Sequence, residues 1–99
     1  MPEINPTYGK LLRKLREESG LTMSALGLAI ELHRAQISDV ELGKRPPFGV
    51  SRSLIIARAL QLENPVPLMA EAARARGLDA KAIRALDGDY LNELLETIL

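Results

Sequence analysis

Two Asn-Pro pairs, Asn5-Pro6 and Asn64-Pro65, each stand at the head of an apolar stretch with helical spacing, and glycines close the stretches behind them. The asparagine oxygen can accept one of the orphan N–H groups at a helix start, and the proline that follows lacks an N–H to orphan. Gly20, Gly43 and Gly77 supply stops, since glycine takes the left-handed turn that ends a helix at little cost. Such punctuation divides the 99 residues into short helices and leaves little chain for strands.

Composition points the same way. Aliphatic side chains supply nearly all of the 46% hydrophobic content, and 3% aromatics with seven glycines do not suit a sandwich or barrel. The expected fold class is all-α, with room for one modest core. No cysteine is present, so disulfides and thiolate metal sites are excluded, which fits a reducing, cytoplasmic setting. The opening MPEINPTYGK has neither an apolar signal core nor a twin arginine, and no run approaches the ~20 apolar residues of a membrane span. A lone histidine without clustered carboxylates makes no metal centre, and no cofactor motif is present.

Formal net charge is zero, which argues against a polyanion partner until its distribution is considered. Residues 1–58 carry nine Lys and Arg against six Asp and Glu, a balance of +3, whereas residues 59–99 carry four against seven, a balance of −3. A basic front and an acidic rear suit a protein whose front alone meets nucleic acid.

Tyr8, Leu11, Leu12 and Leu15 fall at i, i+3, i+4 and i+7, which predicts a first amphipathic helix over about 6–19. Thr22 is placed to cap a second, Met23 to Ile30, with Leu26, Ala29 and Ile30 inward and Gly27 admitting another backbone. Only Glu31, Leu32 and His33 separate it from a third helix, Arg34 to Leu42, so the two meet at a tight corner. Pro46 and Pro47 enforce a loop, after which Ser51 is expected to cap a fourth helix through Leu60, burying Leu54, Ile55 or Ile56, Ala59 and Leu62. Asn64-Pro65 opens a fifth helix to about Arg76; Asp79, and then Asp87 or Asp89, can cap two more. In the last, Leu91, Leu94, Leu95 and Ile98 form a wide apolar stripe that either packs back on the core or builds a dimer.

From Tyr8 to Leu62 the pattern resembles the lambda-repressor-like helix-turn-helix family, also called the XRE family of transcriptional regulators. LLRKLREESGLT is similar to the family's first helix and the lead-in to its second, and ISDVELGKRPP is similar to its Ile-Ser-x-x-Glu-x-Gly-x-x-x-Pro stretch. The resemblance implies a domain of about five helices over residues 1–62, followed by a C-terminal helical extension over 63–99. It also implies double-stranded DNA as partner, read by a homodimer whose recognition helix, 34–42, enters the major groove.

Carried over by position, Arg34, Ala35, Ser38 and Asp39 would meet base edges. Arg34 suits guanine O6 and N7, while Asp39 can accept from cytosine N4. Thr22, Met23, His33, Gln36, Lys44, Arg45, Ser51 and Arg52 would lie along phosphates. His33 and Gln36 have a second reading as a reciprocal cap of the third helix, and for Gln36 the cap is preferred. Arg16 and Glu41 match a family pair that ties the first helix to the third, which suits the planar guanidinium fork.

Four positions depart from the family. Met23 stands where a DNA-contacting glutamine is common, and Asp39 and Leu42 add an anion and an apolar spot to the reading face. Glu31 replaces the turn glycine, where a left-handed backbone costs about 1 kcal/mol or more unless the corner is rebuilt. These departures also suit a protein-interaction module docking a toxin or polymerase subunit through Asp39 and Leu42. An enzyme is disfavoured, because no phosphate loop or nucleophile–base pairing is present.

Overall fold

The structure, a computed structural model, describes residues 6–75 and 77. Among these, the chain forms five helices and no strand: α1 (Pro6–Glu18), α2 (Met23–Ile30), α3 (Arg34–Glu41), α4 (Val50–Ala59) and α5 (Val66–Ala75). The expected Asn5 cap, the helices after Gly77 and the stripe Leu91, Leu94, Leu95 and Ile98 lie outside the described residues.

Tyr8, Leu12, Leu26, Ile37, Val40, Ile56, Leu60, Leu68 and Ala72 bury one core drawn from all five helices. Helix α1 packs on α3 and α5, α2 on α3 and α4, and α4 on α5. Leu68 and Ala72 place α5 in the same core as the helix-turn-helix pair, and Leu54 and Met69 form a smaller cluster between α4 and α5. Tyr8 shares a 2.7 Å hydrogen bond with Ser53 Oγ, so its phenol is satisfied at full burial.

Backbone chemistry sets the ends. At the end of α3, Gly43 takes φ +76, its N–H reaches Val40 O, and the Lys44 N–H reaches Asp39 O at 2.7 Å. This paired arrangement satisfies the last carbonyls and stops α3 at Glu41, with Leu42 as its cap. Asn64 Oδ1 accepts from the Val66 N–H at 3.1 Å, so the expected cap is present and the helix starts at Val66.

Three expectations are corrected. Ser51 does not cap α4: Gly49, extended at ψ 172, occupies the cap without a side-chain bond, and Ser51 is the second helical residue. The start is set by packing, because Phe48 and Val50 on either side of Gly49 are drawn against the core. Ala29 is exposed rather than inward, because Gly27 turns toward the Leu32 carbonyl and the buried arc of α2 follows it. In α4 the buried residues are Ser53, Leu54, Ile56 and Ala57, joined by the cap residue Leu60, with Ala59 and Leu62 only partly buried and Ile55 40% exposed. Contact with both α2 and α5 widens the buried arc beyond a single stripe.

Candidate nucleic-acid interface

The corner between α2 and α3 positions everything on the outer surface. Thr22 Oγ1 accepts from the Ala25 N–H at 3.0 Å and starts α2. Glu31 ends it in the left-handed region, at φ 59 and ψ 41, so the glycine-like conformation is kept by a residue with a Cβ. A Cβ on Gly27 would lie 2.4 Å from Leu32 O, which is why the chain can return so closely over α2.

Helix α3 then begins with a reciprocal cap. His33 Nδ1 accepts from the Ala35 N–H at 3.1 Å, and Gln36 Oε1 accepts from the His33 N–H at 3.1 Å. Because Nδ1 accepts, the imidazole carries its proton on Nε2 in this arrangement. Gln36 thus uses its carbonyl oxygen within the cap and retains only its NH2 group as a donor for another partner.

The inner face of α3 is held firmly. Arg16 Nε donates to Glu41 Oε2 at 2.7 Å and Nη2 to Oε1 at 3.0 Å, while Nη1 caps Leu21 O at 2.9 Å. Arg16 and Glu41 are 7% and 6% exposed, and the hydrogen bonds to Glu41 raise the Arg16 guanidinium above its already high range despite the opposing effect of burial. A Cβ on Gly9 would fall 2.3 Å from Val40 O, so α1 and α3 meet backbone to backbone.

The outer face is open. Arg34 and Ala35 are exposed, and Ser38 and Asp39 are half-buried. With Met23 from α2 they line a depression of about 200 Å³. Asp39 Oδ2 lies 3.4 Å from Arg45 Nε in the loop after α3, which offsets the anion on this face. Lys44, Ser51 and Arg52 are exposed, as are Thr22 and His33. Leu42 is 57% exposed at the far end, and Leu28 is 86% exposed on the outer side of α2.

Sequence reasoning did not single out Gly9, Ser53, Leu28 or the Asp39–Arg45 contact. For Gly9 there was a signal, a glycine inside an apolar helical pattern, which often marks close approach. For Asp39 and Arg45 there was none, since the contact depends on how the chain turns back at Gly43 after α3.

A short helix, a tight corner and a second helix locked from behind with its outer row free define a helix-turn-helix scaffold. The family model described as a helix-turn-helix domain matches residues 7–86, and the chain belongs to this family, which is of the XRE or lambda-repressor type. Comparison with curated proteins and with solved structures found no match. Among the described residues no helix is long and apolar enough to cross a membrane, and no three His, Cys, Asp or Glu gather to hold a metal ion.

Proposed function

We infer that this protein is a sequence-specific DNA-binding transcriptional regulator of the cytoplasm, not an enzyme, and that it acts as a repressor. The observation that carries this is the asymmetry of α3: Ile37, Val40 and Glu41 are buried, while Arg34, Ala35, Ser38 and Asp39 face outward. In this reading those four meet base edges in the major groove. Lys44, Arg45, Ser51 and Arg52 hold phosphates on one side, and Thr22, His33 and the backbone N–H of Met23 at the start of α2 on the other. Gln36 contributes its free NH2 group. Leu91, Leu94, Leu95 and Ile98 are assigned to a homodimer, which would set two α3 helices about one helical turn apart on an inverted repeat.

Selection of bound duplexes from a randomised pool, at two salt concentrations and with Arg34→Ala in parallel, tests the reading. Two inverted half-sites are expected, with the logarithm of affinity falling linearly with the logarithm of salt concentration and specificity relaxed in the variant. Absence of any enriched duplex overturns it. A second reading, a protein-docking module for a toxin or polymerase subunit, is favoured by Leu28 and Leu42, two large exposed apolar side chains, one on α2 and one at the end of α3. It predicts no salt-dependent duplex binding.

A further inference from the structure

The depression between α2 and the outer row of α3 joins two chemistries that are seldom adjacent on a nucleic-acid-binding face. Its lining is apolar at Met23, which is partly buried against the core, and at Ala35, with Ser38 and Arg34 completing it. Asp39, one helical turn after Ala35, adds a carboxylate, an acceptor with no proton to donate when ionised. Its volume of about 200 Å³ is below that of a small-molecule pocket, roughly 300–1,000 Å³, and suits the edge of a base.

The four bases present different edges to such a site. Cytosine offers an N4 amino donor with the C5 carbon beside it, matching an acceptor next to an apolar wall. Thymine has a methyl group at C5, but its O4 acceptor would face the carboxylate. Adenine has an amino donor, yet it sets its N7 acceptor, rather than a carbon, beside Met23 and Ala35. Guanine presents two acceptors, which suit Arg34 on the rim but are repelled by the Asp39 carboxylate.

We propose that this depression is a cytosine-reading site in which Asp39 accepts from N4 and Met23 with Ala35 receives C5, so that 5-methylcytosine is preferred over cytosine. The proposal rests on the DNA-binding reading above. Arg45, 3.4 Å from Asp39, makes the anion tolerable there by offsetting its repulsion of nearby phosphates. Arg34, on the rim of the same depression, is then free for a guanine at a neighbouring step.

The test uses the full chain and duplexes selected from a randomised pool, compared with those selected by Asp39→Asn and by Met23→Gln. One position is expected to prefer cytosine about tenfold over each other base. Asp39→Asn should lose that preference while the remaining positions and the thermal midpoint are kept. Placing 5-methylcytosine at the position should tighten binding severalfold, the scale expected for burying one methyl group, and Met23→Gln should abolish that gain. Base preferences that all survive Asp39→Asn, or methylation that leaves affinity unchanged or lowers it, overturn the proposal and leave DNA binding standing. Failure to select any duplex overturns the DNA-binding reading and this site together.

Discussion

The two faces of α3 are made of residues one or two positions apart, yet they live under opposite constraints. On the inner face, Ile37 and Val40 are closed into the core and Glu41 is gripped at two oxygens by Arg16. On the outer face, Arg34 and Ala35 touch solvent, and the one ion pair, Asp39 with Arg45, is half-exposed at 3.4 Å. A buried bidentate pair loses heavily when broken, because the surviving charge has no water to turn to, whereas exposed pairs contribute about 0–1 kcal/mol. The contrast separates what keeps α3 in place from what α3 can offer a partner.

The largest expected effect comes from removing one half of the inner pair. Glu41→Ala leaves the Arg16 guanidinium buried and without its carboxylate, at a cost of about 3–5 kcal/mol. Chemical denaturation should show that loss, while Asp39→Ala, which breaks the outer pair, should stay within roughly 0.5 kcal/mol of the parent. Equal losses for the two variants would erase the distinction between the faces.

Tyr8 extends the contrast to pH. Burial pushes its phenol from the ordinary 10 up to about 12, with the Ser53 hydrogen bond opposing part of that rise. A raised acid in the folded state holds its proton more tightly there than in the unfolded chain. Its contribution is therefore complete below pH 10 and is lost as pH climbs from 10 toward about 12, by roughly 2–3 kcal/mol. Tyr8→Phe, though weakened at neutral pH by leaving the Ser53 hydroxyl without that partner, should show a shallower alkaline decline in thermal midpoint. Parallel declines for parent and variant would place the alkaline transition elsewhere in the chain.

Gly9→Ala probes the same inner contact through the backbone. The added Cβ would sit 2.3 Å from Val40 O and 2.8 Å from Glu41 O, neither of which is the end of a flexible side chain. Helices α1 and α3 must separate, at a cost of about 1–3 kcal/mol, even though alanine is the better helix former. A variant as stable as the parent would show that α1 and α3 are not in such close contact.

Local punctuation was readable in the chain because its causes are local. Thr22, Gly43 and Asn64 act within three or four residues of themselves, and their positions follow from hydrogen-bond reach alone. The pairing of Arg16 with Glu41 came through family resemblance, since 25 positions separate them and no periodicity links two different helices. Ser51 and Ala29 went astray for a tertiary reason: the packing of Phe48 and Val50, and the turn of Gly27 toward Leu32, choose the cap and the buried arc after the helices have met. The outer face was the least readable, because the depression combines Met23 with α3 and the Asp39–Arg45 contact forms only where the chain turns back after α3.

The smallest expected effect lies at the corner that joins the two helices. Glu31 holds φ 59 with a side chain present, and its carboxylate makes the position neither a better cap nor a core contact, since it is exposed. Left-handed backbone costs an L-residue roughly 1–2 kcal/mol, which glycine does not incur. Glycine in turn loses about 0.4–1 kcal/mol through the greater freedom of its unfolded chain. Glu31→Gly should therefore raise stability by only about 0.5 kcal/mol, seen as a slightly higher denaturation midpoint with an unchanged slope. Because Glu31 precedes the His33–Gln36 cap without taking part in it, the variant should also leave α3 oriented as before, and DNA affinity should change only by whatever the lost negative charge contributes at low salt. A lower midpoint would mean that the side chain supports the corner through a contact worth more than the strain it imposes, and the corner would then belong with the inner face of α3 rather than between the two.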